Sequence, residues 1–374
     1  MSDGGLKMRR ILIVCTTDSM IWNFLVPHIK ELEDRGYYVE CASSITGAFF
    51  DNLVRIHGIK MNEISFERSP YRLSNIKAYK ALCSLIKEKK FDTIFCHEPV
   101  GGAMGRLAGH HCGCKVVYMA HGFHFYKGAP KSRKLYYLVE KFLSKYTDIL
   151  VTINQEDYEA SLRFHAQKYF KTNGIGVDTN KFKVCTEDRN YIKKEFNLPD
   201  DAVVMLSVGE LIPRKNHEVI IKALSKIGVD NLFYMIAGDG EIKKDLERII
   251  NEHKLNDRVF LLGYRTDISL LCNSADIFAL PSIHEGLSVA LMEAMGCGKP
   301  VIGSKIRGNV DLIDENKGGF LVDTYDVDGY AQRIKLLFSD EETRLRMGKY
   351  NTDKVKMFDI EPVKEQIFAI IDEE

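Results

Sequence analysis

Apolar positions fall into short unbroken runs, separated by longer stretches with helix-like spacing. In the first half the runs are ILIVC (Ile11–Cys15), YVECAS (Tyr38–Ser43), TIFCH (Thr93–His97), KVVYMA (Lys115–Ala120) and ILVTI (Ile149–Ile153). In the second half they are VVMLSVG (Val203–Gly209), FYMIAG (Phe233–Gly238), VFLLG (Val259–Gly263), IFALPS (Ile277–Ser282) and VIGS (Val301–Ser304). Continuous β-branched runs without polar alternation are the pattern of parallel strands covered on both faces. Their alternation with helical stretches predicts parallel sheets joined by right-handed crossovers. A break near Asn173–Lys183 divides the pattern into two windings. The predicted class is α/β, with two Rossmann-like domains whose parallel sheets face across a cleft. Ligands are then expected at the carboxyl ends of the strands, in the loops after Cys15, Cys96, Met119, Gly209, Gly238, Gly263 and Ser282.

Composition narrows this only in places. The 374 residues suit two domains rather than one core, and 45% apolar with 28% charged residues is ordinary for a soluble globular chain. Net charge is zero, but residues 1–185 hold 27 Lys and Arg against 18 Asp and Glu, while residues 186–374 hold 25 against 34. The first half therefore prefers an anionic neighbour: a membrane surface, a phosphorylated acceptor or nucleic acid. Nine scattered cysteines, only Cys112 and Cys114 lying close in sequence, imply reduced thiols and a cytoplasmic setting. No apolar run approaches the roughly 18 residues of a spanning helix. A signal peptide is not expected at Met8-Arg9-Arg10 either.

The candidate chemistry starts at HEGLSVALMEAMGCGKPV (His284–Val301). Glu285 follows a strand end, and Ser288 is a plausible N-cap for the helix after it. The first turn of that helix offers N–H groups and a positive dipole end that suit a phosphate. Glu293 lies one turn past Val289, where a ribose would hang from such a diphosphate. A surface acid and a buried structural acid are the plainer alternative. In SVGELIPRKN (Ser207–Asn216), Arg214 and Lys215 follow the strand-end Gly209. A departing nucleoside diphosphate gains about one negative charge, and fixed cations there lower the barrier. A solvated basic pair is the bland reading.

YMAHGFHFYKG (Tyr118–Gly128) places His121 just after a strand, beside Gly122 and near His124. In CHEPVGGAMGR (Cys96–Arg106), Gly101, Gly102 and Gly105 open a helix and permit close approach of a ligand, without the dinucleotide spacing. Lys127–Tyr146 reads as an amphipathic basic helix: Leu135, Leu138, Val139, Phe142 and Tyr146 on one face, Lys134, Lys141 and Lys145 on another. It fits either an anionic bilayer or a core helix with a solvated face.

Together these stretches resemble the family-four retaining glycosyltransferases of GT-B fold, especially the bacterial capsular and exopolysaccharide members. The resemblance rests on Glu285 and Glu293 followed by AMGCGKPVI, on AHGFHFYKGAP (Ala120–Pro130), on GVDTNKF (Gly176–Phe182) and on IRGNVDLI (Ile306–Ile313). It runs from about Arg10 to the last helix and implies an acceptor-binding domain over 1–180 and a nucleotide-sugar domain over 181–355. A terminal helix over 356–374 would return to the first domain. It further implies that Glu285 binds donor-sugar hydroxyls and Glu293 the ribose. Lys215, helped by Arg214, would hold the diphosphate, and main-chain groups of Gly286, Leu287, Ser288 and Val289 would cradle sugar and phosphate. His121 would touch donor or acceptor at the reacting carbon. Apart from the resemblance, the strand-end glycines Gly209 and Gly263 are read as lining the donor, and His97, Gly101, Gly102 and His124 as a wall on the acceptor side, the glycine loop fitting a donor-side wall as well. No metal or other cofactor is implied.

Two departures stand out. Glu210 occupies a position where many members carry arginine, and the first loop reads TTDSMIWNF (Thr16–Phe24) where many have a glycine pair. The expected function is retaining transfer of a sugar from a nucleotide donor, most naturally UDP-linked, to a lipid-diphosphate-linked saccharide for capsule, exopolysaccharide or another surface glycan. The expected place is the cytoplasm, peripheral on the inner face of the cell membrane, with no nucleic-acid partner. A UDP-sugar epimerase on this scaffold and a two-lobed small-molecule binding protein are the rivals.

Overall fold

The computed structural model describes residues 8–47, 49–67 and 72–373. Two compact units appear, one of Met1–Ile175 with Glu361–Glu374, the other of Gly176–Ile360. Among the described residues no helix is long and apolar enough to cross a membrane.

Unit 1 is a seven-stranded parallel sheet made of β1 (Arg10–Thr17), β2 (Tyr38–Ser44), β3 (Met61–Glu63), β4 (Thr93–His97), β5 (Lys115–Ala120), β6 (Ile149–Thr152) and β7 (Lys168–Lys171). The spatial order is β3-β2-β1-β4-β5-β6-β7, so the chain winds outward from β1 in both directions. Helices α1 (Asn75–Lys89), α2 (Pro99–His111) and α3 (Lys134–Leu143) belong to this unit. The sequence runs predict its five inner strands closely. The two edge strands β3 (MNE) and β7 (KYFK) escape prediction, because an edge is short and tolerates polar residues.

The glycines of CHEPVGGAMGR have a structural task. A Cβ at Gly101 would lie 2.6 Å from the Thr16 nitrogen, one at Gly102 2.5 Å from the Tyr118 ring, and one at Gly105 2.6 Å from the Cys96 Cβ. They let α2 lie directly on β1, β4 and β5. Close packing thus gives Gly101 and Gly102 a structural role of their own, beside the expectation that this loop walls the acceptor or donor side. Gly101→Ala meets backbone rather than a yielding side chain. It should lower unfolding free energy by about 1–3 kcal/mol in a denaturant titration.

Unit 2 holds six parallel strands in the order β10-β9-β8-β11-β12-β13. They are β8 (Val203–Val208), β9 (Leu232–Ala237), β10 (Val259–Gly263), β11 (Ile277–Leu280), β12 (Val301–Ser304) and β13 (Gly319–Val322). Helices α4 (His217–Ser225) and α5 (Val289–Gly296) follow β8 and β11. At the junction, Val177 N–H donates to the Phe358 carbonyl at 2.9 Å and Ile360 N–H to the Val177 carbonyl at 2.9 Å. A Cβ on Gly176 would sit 2.7 Å from the Ile360 Cα, so glycine lets the two connecting segments run side by side. Helix α6 (Ile360–Asp372) then packs on unit 1 through buried Val363, Ile367 and Ile371. Lys364 pairs with Glu31 at 3.0 Å, and the Lys115 ammonium reaches the Ile371 carbonyl at 2.9 Å.

Candidate active site

In unit 2 the loops leaving β8, β11 and β12 converge on Glu285. The Lys215 ammonium is 2.8 Å from its Oε1 and the Arg214 guanidinium 3.0 Å from the same oxygen. Both cations sit on a single 3₁₀ turn, Pro213–Lys215, that opens toward α4. That turn is tied to the loop bearing Glu285: Ile283 N–H donates to the Arg214 carbonyl at 2.8 Å, and Arg214 Nη1 donates to the His284 carbonyl at 3.1 Å. Burial pushes the Glu285 carboxyl up, but the charges of Lys215 and Arg214 outweigh it and the pKa falls below the ordinary value. Glu285 is therefore an anion held by the two cations assigned to the diphosphate.

Gly209 explains how Lys215 reaches this place. At φ +157, a Cβ there would lie 3.1 Å from the Lys215 Cε, so a side chain would push the ammonium aside. The neighbouring Glu210 is exposed and takes no part in the cluster. Gly263 ends β10 at φ +70, with open space where a Cβ would point. Ser288 caps α5, its hydroxyl accepting from Leu291 N–H at 3.3 Å. Among the described residues the N–H groups of Val289 and Ala290 find no acceptor, which leaves two donors at the positive end of the helix.

One residue of this site has no role in the sequence reading. Arg307 is buried, and its Nε donates to the Glu285 carbonyl at 3.1 Å. The next residue, Gly308, packs so closely that a Cβ would lie 2.3 Å from the Gly286 carbonyl oxygen. The loop after β12 thus braces the main chain of Glu285 and Gly286. IRGNVDLI marks the place, but only the fold shows what Arg307 touches.

Glu293 lies half-buried on α5, and among the described residues no cation or donor hydrogen-bonds its carboxylate. Burial raises its pKa from 4.5 to about 7, offset in part by the charge of Lys181. The folded protein therefore keeps this proton at pH values where the unfolded chain has lost it, and stability from this group falls as pH climbs from about 4.5 to 7. In Glu293→Gln that part of the slope should vanish, so its Tm should drop less than the parent's between pH 5 and 8 in calorimetric scans.

Unit 1 carries a second polar cluster at the ends of β4 and β5. His121 Nε2 and His97 Nδ1 are 2.9 Å apart, and burial drives the pKa of His121 to about 4 and that of His97 well below 6.5. Burial thus favours the neutral form of both imidazoles, and the N–H of one can donate to the bare ring nitrogen of the other. His97 is wholly buried, and among the described residues its Nε2 has no partner. It touches the His121 and Phe95 rings, so any part it takes on the acceptor side would pass through His121. His124 is exposed and lies against Tyr136. Glu98, at φ +59, accepts from Thr17 N–H at 3.1 Å and binds the first loop to the end of β4. In that first loop Asp18 is fully buried and accepts from Thr46 and Phe50 N–H groups, a structural task. Among the described residues no three His, Cys, Asp or Glu side chains converge to hold a metal ion.

Residues 188–354 match the family model of glycosyl transferases group 1, and residues 10–154 that of the glycosyl transferase 4-like group. A Bacillus subtilis relative named as the glycosyltransferase EpsD is 32% identical over 351 residues, covering 91% of this chain and 90% of that one. The chain belongs to the family-four glycosyltransferases. A UDP-Gal:alpha-D-GlcNAc-diphosphoundecaprenol alpha-1,3-galactosyltransferase of Escherichia coli is 32% identical over 292 residues, 76% of this chain and 75% of its own. Anabaena Alr3699/HepE, solved in complex with UDP, superposes on this glycosyltransferase with a TM-score of 0.84 at 20% identity, over 98% of this chain and all of that one. The fold is thus the GT-B fold, and the epimerase and binding-protein alternatives are set aside.

Proposed function

We propose that this glycosyltransferase moves a sugar from a UDP-linked donor to a lipid-diphosphate-linked saccharide, keeping the donor's anomeric configuration. The observation that carries this reading is the Glu285–Lys215–Arg214 cluster beside the open N–H groups of α5. Lys215 and Arg214 meet the diphosphate, whose charge grows by about one unit as it leaves. Glu285, released from them, accepts from hydroxyls of the donor sugar. Glu293 accepts from the ribose. From unit 1, His121 serves the substrates as a neutral imidazole, held by His97. We assign the leaving charge to the two cations and the helix end, and transfer is expected to persist in EDTA.

The lipid-linked acceptor is supported by the names of relatives. Besides the Escherichia coli enzyme, a Campylobacter jejuni relative named for an N,N'-diacetylbacillosaminyl-diphospho-undecaprenol substrate is 24% identical over 97% of this chain. It is supported as well by α3, whose outer face exposes Leu135, Leu138, Val139 and Phe142 between 44% and 60%. Lys131, Lys134, Lys141 and Lys145 flank that stripe, so we place the protein peripherally on an anionic bilayer at the inner face of the cytoplasmic membrane. The test is incubation with a panel of UDP-sugars and a prenyl-diphosphate saccharide, reading product mass and anomeric coupling by NMR. Transfer with retention is the expected result. Transfer only to unlipidated sugars, or with inversion, would overturn the acceptor or the stereochemistry respectively.

A further inference from the structure

Next to α3 the surface of unit 1 holds a groove of about 510 Å³ that neither the reaction nor the bilayer contact employs. One wall is the start of α1, where Leu73 is 81% and Ile76 53% exposed. The other is the outward side of α2, where Met104 and Leu107 lie half-buried. Tyr146, at the end of the turn that follows α3, completes the lining. Its ring lies 5.1 Å from His110 on α2 and 5.6 Å from Phe142 on α3. The groove therefore shares a border with the exposed stripe of α3. Among the described residues no acidic side chain lines it, and its polar lining is Arg72, Asn75, His110 and His111.

We propose that this groove binds the hydrocarbon chain of the lipid-linked acceptor. The inference rests on the proposed reading of that acceptor and goes on to name where its tail lies. An apolar floor with a cation in its wall and no acid fits an amphiphile with an anionic head, because the chain gains by leaving water and the head gains by meeting Arg72. A helix lying on the bilayer by Leu138 and Phe142 brings the neighbouring groove to the same level, where hydrocarbon is the abundant solute. The exposed Leu73 and Ile76 then form the lip over which a chain enters. Holding the tail here adds binding energy remote from the reacting carbon, which raises the occupancy of the acceptor without touching the chemistry.

The experiment uses the full chain and a fifteen-carbon prenyl diphosphate carrying a diazirine in its tail. After irradiation, labelled peptides are mapped by mass spectrometry in the parent and in two groove-filling variants, Leu107→Trp and Met104→Trp, whose folding is checked by thermal melting. Label within 72–79 or 104–111, lost in whichever variant melts like the parent, is the expected result. Transfer to a long-prenyl acceptor should then show a KM raised tenfold or more in that variant. With a short-alkyl acceptor the KM should be unchanged, and flotation with phosphatidylglycerol vesicles should match the parent. Label outside the groove, equal KM changes for both acceptors, or parallel loss of vesicle binding would each overturn the assignment. Because labelling needs no turnover, groove label without transfer would sink the proposed reaction and leave the lipid site standing.

Discussion

Lys215→Ala is expected to lower kcat/KM for sugar transfer by about 10²–10³-fold, the usual loss when one preorganised charge-stabilising group is removed from a developing anion. The ammonium is a compact charge in a fixed place, set by the turn at Pro213–Lys215 and by the space that Gly209 leaves. Arg214 remains, yet its guanidinium also donates to the His284 carbonyl and is not free to take over both tasks. UDP should bind more weakly too, since the diphosphate loses its nearest point charge. Lys215→Arg should recover little, because a planar fork does not replace a compact ammonium packed against a glycine. Single-turnover assays on protein that melts cooperatively decide the matter. Near-normal transfer by Lys215→Ala would remove the electrostatic account of leaving-group departure.

Glu285→Gln separates binding from chemistry. In the free protein Glu285 already occupies Lys215 and Arg214, so an arriving diphosphate has to displace it. Glutamine keeps the shape and releases the cations. UDP, which has no sugar to lose contacts with, should bind to the variant at least as tightly as to the parent. Transfer should nevertheless fall by about 10²-fold or more, since the sugar hydroxyls lose their charged acceptor. Calorimetric titration with UDP beside a transfer assay reads both. If UDP affinity falls together with the rate, Glu285 serves instead to hold the cations in position.

The inner strands were legible because a strand covered on both faces calls for a nearly unbroken apolar run, and ILIVC and VVML supply one. β3, β7 and β13 were not, since each lies at a sheet edge and is only three or four residues long. Glu285, Lys215 and Arg214 could be grouped from the sequence because each follows a strand end, and parallel sheets gather those ends. Distance was not legible: nothing in spacing says that the two cations would close on Glu285 rather than stand open. Nor could spacing distinguish a glycine that admits a ligand from one that admits a helix, as at Gly101. His97 shows the same limit, because a buried partner and a substrate contact call for the same residue. Arg307 was hidden for another reason, as its contact is to a main-chain carbonyl and main chain carries no sequence signal.

The inner side of α3 has its own consequence. Arg106, fully buried, pairs with Glu140 of this helix at 2.8 Å, and Tyr137 packs edge-on against Phe125 and Phe164. Detaching α3 would strand a guanidinium in the core without its counter-charge, a far greater cost than its exposed leucines and phenylalanine could return. The helix is thus already ordered in water, unlike the many surface-seeking segments that coil until they touch lipid. A surface that meets it spends no conformational entropy on ordering the backbone. Attachment through α3 should accordingly leave the helical circular dichroism signal unchanged when vesicles are added, with arrival and departure both rapid. On the proposed bilayer contact, α3 would serve as a rigid foot whose shape is set before contact.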